Sequence, residues 1–325
     1  MAKEVDRLEN EMHSTIKQWE KERQSKANEA RVEHDAYGRI NHILTANGKS
    51  TDFTRDTAGN VIEIKMGDRR WTKDTNGEGW TRYDKEGRPT SHVDNITVSS
   101  SGDVNFYTKD VPPVTIHPDG SRTESFFDGS WVTRDAQRHV TKIESPVGKV
   151  NTVTYDKDGN AARLTRPDGS QWTKEGTNWI RRDKDGNEIS RVDKITVSES
   201  ADITFTSRGV LPRTYHPDGS HSEVFPDKSK ITTDFRGHVT RIESANGQVT
   251  TIAYDKDDKP ISFTRPDKSQ WIRDGHTWSR RDQHGSIPID VNDIAVSSNG
   301  DIYLKSTQSS VRVIHPNGSH TVHSK

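Results

Sequence analysis

Short runs of alternating apolar and polar residues recur along most of the chain. In Lys194–Ser198, Ile195 and Val197 fall on one face, and Ile203 and Phe205 repeat the pattern a few residues later. Turn signals separate these runs roughly every ten residues, often as Asp-Gly or Asn-Gly, which supply the positive-φ residues of tight hairpins. The pattern predicts a meander of antiparallel strands, each about six to eight residues long, apolar on one face and polar on the other.

The first residues follow a different pattern. No Gly or Pro occurs between Ala2 and Glu33, and the segment is rich in Glu, Lys, Arg and Ala. Its apolar residues are spaced by three or four and form one helical stripe: Val5, Leu8, Met12, Ile16 and Trp19. Residues 1–35 are therefore predicted to form a charged amphipathic helix. Two roles remain open: packing across or inside the β array, or homo-oligomerisation as a coiled coil through residues 2–33.

The rest of the chain, residues 36–325, repeats itself with a period of 99. The run His-Pro-Asp-Gly-Ser starts at His117 and His216, and a close variant starts at His315. Such self-similarity predicts a repeat architecture. The copies cover about 36–134, 135–233 and 234–325, and each divides into two half-units of about fifty residues.

Composition supports a β fold with little apolar material. Ile and Val together number 46 against 5 Leu, and β-branched residues favour strands. Only 28% of the residues are hydrophobic, but Lys plus Arg (48) nearly balance Asp plus Glu (49), whereas disorder is favoured by a large net charge. A sheet that is apolar on one face only explains how so few apolar residues suffice.

Several functional classes are disfavoured. The net charge of −1 provides no basic field for nucleic acid. No apolar run approaches the ~20 residues of a membrane span, and the charged N-terminus lacks the apolar core of a signal peptide. We therefore expect a cytoplasmic protein or one exported by a non-classical route. The absence of Cys excludes disulfides and thiolate metal sites.

Catalytic and metal-binding signatures are weak. Gly48-Lys49-Ser50 lacks the first glycine of a phosphate-binding loop, because Ile43 stands in its place. Asp156-Lys-Asp-Gly-Asn lacks the later bidentate Glu of a calcium loop. The three repeated histidines could gather a metal, but His before Pro-Asp-Gly is better explained by a structural role at a strand end. We predict no metal, no cofactor and no enzymatic activity.

Three tryptophan pairs are the best candidates for ligand binding. Each pair spans a Gly-containing hairpin: Trp71 and Trp80, Trp172 and Trp179, and Trp271 and Trp278. The rings are expected to meet across strands, where aromatic pairs stabilise a sheet by roughly 0.2–1 kcal/mol. Alternatively, the pairs form stacking platforms for glycans, flanked by Arg181 and Arg280 together with Arg182 and Arg281.

The segment Tyr155–Ser170 resembles the tyrosine–aspartate (YD) repeat of rearrangement-hotspot (RHS) proteins. It reads Tyr-Asp-Lys-Asp-Gly-Asn-Ala-Ala-Arg-Leu-Thr-Arg-Pro-Asp-Gly-Ser, and Tyr254 begins a degraded copy. The resemblance implies a long β-hairpin ribbon wound into a spiral or shell, in a large bacterial surface or secreted protein. It also implies an enclosed or appended toxin fragment, for which this chain has no segment after its repeats.

These observations favour an all-β repeat protein with an N-terminal α-helix, built as an antiparallel hairpin ribbon or spiral. A six-bladed β-propeller is the alternative, since about fifty residues suit a four-stranded blade. The favoured function is a non-enzymatic scaffold that binds or presents a glycan or a protein partner. A carbohydrate-active enzyme and a self-assembling structural protein remain open.

Overall fold

The structure is a computed structural model that describes residues 30–45, 48–275, 277–282, 285–288, 291–306 and 310–323. Most of the predicted N-terminal helix, and with it most of the oligomerisation segment, lies outside the described residues. The last part of that prediction, Arg31–His34, is a strand. Val32 pairs with Ile43 and packs against the core, which explains why this end of the segment is extended.

The described elements are 33 β-strands, and the chain divides into two compact units, Met1–Lys142 and Ile143–Lys325. The strands of the first unit are β1 (Arg31–His34), β2 (Ile40–Leu44), β3 (Ser50–Arg55), β4 (Val61–Met66), β5 (Arg69–Lys73), β6 (Trp80–Tyr83), β7 (Pro89–Val93), β8 (Asn95–Val98), β9 (Val104–Thr108), β10 (Val111–Ile116), β11 (Arg122–Ser125) and β12 (Trp131–Arg134). Strand β13 (Val140–Glu144) contains the unit boundary.

The strands of the second unit are β14 (Val150–Tyr155), β15 (Ala161–Thr165), β16 (Gln171–Glu175), β17 (Asn178–Arg182), β18 (Glu188–Val192), β19 (Lys194–Val197), β20 (Ile203–Ser207), β21 (Val210–Tyr215), β22 (His221–Val224), β23 (Lys230–Thr233), β24 (Val239–Glu243), β25 (Val249–Tyr254), β26 (Pro260–Thr264), β27 (Gln270–Asp274), β28 (Thr277–Asp282), β29 (Gly285–Pro288), β30 (Asp293–Val296), β31 (Ile302–Lys305), β32 (Val311–Ile314) and β33 (His320–His323).

Within each sheet a strand pairs with its neighbours in sequence. In the first unit, β1–β7 form a seven-stranded antiparallel sheet. In the second, β19–β29 form an eleven-stranded sheet and β30–β33 a four-stranded one, and none of these sheets closes on itself. The predicted antiparallel all-β meander is confirmed. A sheet of eleven strands does not match the four-stranded blades of the propeller alternative, because the hairpin connections continue without a break where blades would be separated.

One type of hairpin loop joins most of these strands. In the loop from β1 to β2, the N–H of Asp35 donates to the carbonyl of Arg39 (N···O 2.8 Å), and the N–H of Gly38 donates to the carbonyl of Asp35 (N···O 2.9 Å). Gly38 has a φ of 76°. This is the arrangement of a three-residue loop that ends on a left-handed residue. The carboxylate of Asp35 also accepts the N–H groups of Tyr37 and Arg39.

Burial alternates along the strands as the sequence pattern predicts. The equivalent strands β8, β19 and β30 bury Ile96, Ile195 and Ile294 between exposed neighbours. In the first unit the buried faces of β2–β6 pack against residues of β8 and β9 to form one core, with Ile64 fully buried. In the second unit a core of the same kind joins β23–β28 to β30 and β31. The apolar residues therefore lie between stacked sheets.

Lys228→Gly should raise the free energy of unfolding by about 0.5–1 kcal/mol. Lys228 occupies the left-handed position of the β22–β23 loop at a φ of 67°, where a side chain crowds the backbone and glycine does not. Denaturant unfolding of the two proteins measures the difference. Lys184→Gly is the matched control, because Lys184 is exposed in a turn without a positive φ, and there the added freedom of the unfolded chain should lower stability. Equal effects of the two substitutions would contradict the prediction.

Candidate functional site

The tryptophan pairs lie in the core. Trp80, Trp179 and Trp278 are 3% exposed, and Trp71 and Trp172 are 6% exposed. Trp271 is half-buried against the core of the second unit. The five buried rings cannot receive a sugar face, so the stacking-platform interpretation does not fit them. The pairs follow the apolar phase of their strands, which places them between the sheets.

The two rings of a pair are diagonal neighbours on one face. In the first unit Trp71 lies opposite Arg82, and Trp80 lies opposite Lys73. The aromatic contact of Trp71 is with Phe106 on β9 (ring centroids 5.2 Å). Trp172 makes the same contact with Phe205 on β20 (5.2 Å). These tryptophans therefore join one sheet to the next, a contact that the spacing of the pairs did not reveal.

The arginines beside the tryptophans are engaged in ion pairs. Nη2 of Arg181 lies 2.6 Å from Oδ2 of Asp168, and its Nε donates to the hydroxyl of Ser170 at 3.0 Å. Nη2 of Arg280 lies 3.3 Å from Oδ2 of Asp267. Arg182 pairs with Glu175. Three of the four flanking arginines proposed for a glycan are thus already paired with carboxylates.

The repeated histidines belong to chains of hydrogen bonds that sequence reasoning missed. Nδ1 of His216 lies 2.7 Å from Oδ1 of Asp202, and Nε2 lies 2.7 Å from Oγ of Ser222. That hydroxyl continues to Oγ1 of Thr232 at 2.9 Å. The chain links the turn after β19 with strands β22 and β23. The sequence signal was available: the acid precedes each His by 14 residues, and a hydroxyl residue follows it by six.

The same chain occurs around the other two histidines. Nδ1 of His117 lies 2.7 Å from Oδ1 of Asp103, and Nε2 lies 2.8 Å from Oγ1 of Thr123. For His315 the distances are 2.8 Å to Asp301 and 3.4 Å to Thr321. Each ring contacts its own carboxylate and hydroxyl, which favours the structural role at the strand end over a shared metal site. The described residues contain no group of three or more side chains that could hold a metal ion.

An Asp-His-Ser chain also has the connectivity of a nucleophilic triad. A nucleophile must be reached by its substrate, yet Ser222 is 2% exposed and its hydroxyl bridges His216 and Thr232. Threonine occupies the equivalent place in the other two chains. In this arrangement the chain of hydrogen bonds provides partners for buried polar groups and joins neighbouring hairpins.

Hydrogen bonding lowers the pKa of Asp103. Burial by itself would raise it, but the hydrogen bonds from Ser101 and His117 together lower the pKa below its ordinary value. The carboxylates of the hairpin loops behave alike: Asn60 lowers the pKa of Asp56, and Asn187 lowers the pKa of Asp183. Ionised carboxylates are thus part of the folded structure.

Two equivalent clefts open in the second unit. One, of about 590 Å³, is lined by Tyr155, Lys174 and Trp179, and the other, of about 520 Å³, by Tyr254 and Arg273 among others. Tyr254 is held by the fold: its hydroxyl donates to the carbonyl of Val239 at 3.0 Å, and burial raises its pKa to about 12. Tyr254, the first residue of the degraded YD-like copy, therefore joins two neighbouring strands of its sheet.

Four of the exposed aromatic residues lie in the part of the first unit from β9 to β12. Tyr107 is 41% exposed, Phe126 40%, Phe127 82% and Trp131 43%. We refer to these four residues as the aromatic surface. They lie on β9, on β12 and in the loop between β11 and β12. Trp131 has no partner in a tryptophan pair, so the pattern of pairs does not point to it. In the described part of the chain, no helix is long and apolar enough to cross a membrane.

The chain is similar to several solved structures. No protein-family model matches the chain, and no curated protein matches it. The TCP10 domain of Danio rerio CPAP, solved with a peptide of STIL, has 16% identity over 65% of this chain and 97% of its own, with a TM-score of 0.18. The Drosophila melanogaster SAS-4 TCP domain, solved with a proline-rich motif of Ana2, has 16% identity over 54% and 90%, with a TM-score of 0.16.

The TcdB2-TccC3-TEV structure has 11% identity over 89% of this chain but only 16% of its own, with a TM-score of 0.18. Overall similarity is thus low in these three comparisons, and the matches carry no argument about function.

Trp172→Ala should lower the free energy of unfolding by about 3–5 kcal/mol, because it empties a buried site between two sheets. Trp131→Ala removes the same side chain from an exposed position and should lower it by about 1 kcal/mol or less. Chemical denaturation followed by circular dichroism compares the two. A small effect at Trp172 would reject its structural role.

Stability should fall as the pH drops below about 4, and Asp103 should contribute to the loss. Its pKa is lower in the folded than in the unfolded chain, so the unfolded chain takes up the proton first. The stability that Asp103 contributes is complete above its ordinary pKa, and it disappears as the pH falls through the lower pKa of the folded chain. Asp103→Asn should flatten this part of the pH–stability curve, measured by urea unfolding between pH 2 and pH 6. An unchanged slope would show that Asp103 is not involved.

Proposed function

We propose that the chain is a non-enzymatic β scaffold that binds an extended segment of a partner protein through the aromatic surface. Isolated exposed apolar residues are common, but a group of large aromatic side chains on one region is typical of an interaction site. Trp, Tyr and Phe are enriched in the centres of protein interfaces. The four residues provide this kind of surface in the first unit.

Strand register supports a continuous surface. Trp131 lies opposite Ser125, whose hydroxyl donates to the carbonyl of Pro113 on β10 at 2.8 Å. Tyr107 lies on β9, the next strand, so Tyr107 and Trp131 are three strand spacings apart. At about 4.8 Å per spacing this is roughly 14 Å. An extended or polyproline-type segment of about four or five residues spans such a distance.

The single observation that carries the proposal is a difference between sequence copies. Ninety-nine residues after Tyr107, Phe127 and Trp131 stand Thr206, Pro226 and Lys230. By contrast, residues that join one sheet to the next remain apolar at a spacing of 99, as Phe106 and Phe205 illustrate. The fold therefore does not need aromatic residues at the three exposed positions, and a binding role accounts for them.

The finer features of the scaffold are part of the same proposal. We take the three sequence copies to be equivalent structural repeats, as the recurring His-Asp contacts suggest, and the YD-like architecture to be a ribbon of hairpins. A glycan remains the alternative ligand of the aromatic surface, because sugar rings also stack on exposed Trp and Tyr side chains.

Selection with a displayed peptide library tests the proposal. Peptides enriched on the wild type should bind a Tyr107→Thr, Phe127→Pro, Trp131→Lys variant at least about tenfold more weakly, because exposed aromatic anchors dominate such interfaces. These residues occur at the equivalent positions of the second copy, so the variant should fold. Phe235→Ala, which removes an exposed aromatic side chain from the second unit, serves as the control.

The outcomes separate the alternatives. Enriched peptides that bind the triple variant as tightly as the wild type would reject the aromatic surface as the site. Binding on a glycan array without peptide enrichment, lost in the triple variant, would replace the protein partner by a glycan. If neither peptide enrichment nor glycan binding is observed, the proposal is overturned.

A further inference from the structure

The β5–β6 hairpin of the first unit contains an arginine, Arg82, whose surroundings differ from those of its counterparts in the other two hairpins. Arg82 lies opposite Trp71, with its guanidinium carbon 5.6 Å from the centre of the indole ring. Its Nε is buried without a hydrogen-bond partner. Among the described residues no carboxylate forms an ion pair with it. Arg181, which lies opposite Trp172 in the same way, is bound by Asp168 and Ser170.

The difference between the two hairpins lies at two positions. Asp168 and Ser170 stand four and two residues before Trp172, whereas Gly67 and Arg69 stand four and two residues before Trp71. The first hairpin therefore has a glycine in place of Asp168 and a second guanidinium in place of the hydroxyl. Its loop carboxylate, Asp68, stands one residue later, and in the described part of the chain it forms no ion pair with Arg82. The third hairpin keeps Asp267, which pairs with Arg280. A carboxylate thus faces the arginine in the other two hairpins, whereas the charged neighbour of Arg82 is another arginine, Arg69.

Neighbouring groups do not offset this charge. Arg69 is two residues from Trp71 and so lies on the same face of the sheet as Arg82. Burial and the nearby charge of Arg69 lower the pKa of Arg82, in that order of importance. Asp84, two residues after Arg82, is bound instead to the side chain of Arg88 (Oδ2···Nε 2.9 Å). Glu63 lies 3.9 Å from Arg70, on the opposite face.

We propose that Arg69 and Arg82 bind a tetrahedral oxyanion, the sulfate or phosphate group of a ligand. The planar guanidinium donates two parallel hydrogen bonds to such a group, and a charged acceptor beside a partly buried donor makes these bonds strong. The oxyanion would take the place that the Asp168 carboxylate fills beside Arg181. This inference is independent of the aromatic surface and of a partner protein.

Titration of the isotope-labelled full chain with sodium sulfate, sodium phosphate and a sulfated disaccharide, at constant ionic strength, tests the proposal. The Nε–Hε resonance of Arg82, assigned by its loss in Arg82→Lys, should shift and saturate. Arg82→Lys keeps the positive charge but loses the planar guanidinium that donates two parallel hydrogen bonds. We expect its affinity for the anion to be at least tenfold weaker, as measured from the backbone resonances of the hairpin. Arg69→Ser, at an exposed position, should weaken binding at least fivefold without unfolding the protein.

Arg181→Lys is the matched control, because it changes the equivalent arginine where a carboxylate already fills the site. It should leave the affinity unchanged. Tighter binding of the disaccharide than of sulfate would identify the oxyanion as part of a sugar, and equal binding would identify the free ion. The proposal would be overturned if the shift of the Arg82 resonance did not saturate, or if Arg82→Lys and Arg181→Lys lost the same amount of affinity for the anion.

Discussion

The structure depends on one backbone arrangement, the three-residue hairpin loop that ends on a left-handed residue. Two backbone hydrogen bonds close it, as between Asp35, Gly38 and Arg39, and an Asp carboxylate often caps the free N–H groups of the loop. Because the loop joins adjacent antiparallel strands, every pairing is local in sequence. The sheets can therefore grow to seven or eleven strands without any long crossover connection.

Sheets of this kind become stable only when their apolar faces are covered. The chain achieves this by stacking one sheet on the next, with Trp71 on Phe106 in the first unit and Trp172 on Phe205 in the second. The low hydrophobic content is sufficient because one face of each strand supplies the core. The tryptophans that looked most like ligand-binding residues thus have a structural task, and function is better sought where structural need does not explain the residue.

Internal repetition makes that search possible within a single chain. Residues that recur with the period of 99, such as the histidines with their carboxylates, form the same contacts each time and so report on the fold. Other residues differ between the copies although the fold around them is the same. The ones that stand out occur in the first unit. Trp131 and Phe127 put aromatic rings on the surface, and in the described part of the chain Arg82 has Arg69 as a charged neighbour and no carboxylate paired with it.

The sequence by itself determined the all-β class, the antiparallel hairpins and the alternating burial, because turn chemistry and a period of two are local properties. Ile96, Ile195 and Ile294 are buried where alternation placed them. Only the tertiary structure decided which face of each sheet meets another sheet, and hence that Trp172 is buried while Trp131 is exposed. It also decided that Ser222 joins His216 and that Asp168, rather than a ligand, binds Arg181. These contacts join different strands or sheets, and their geometry follows from stacking and register, which no local pattern specifies.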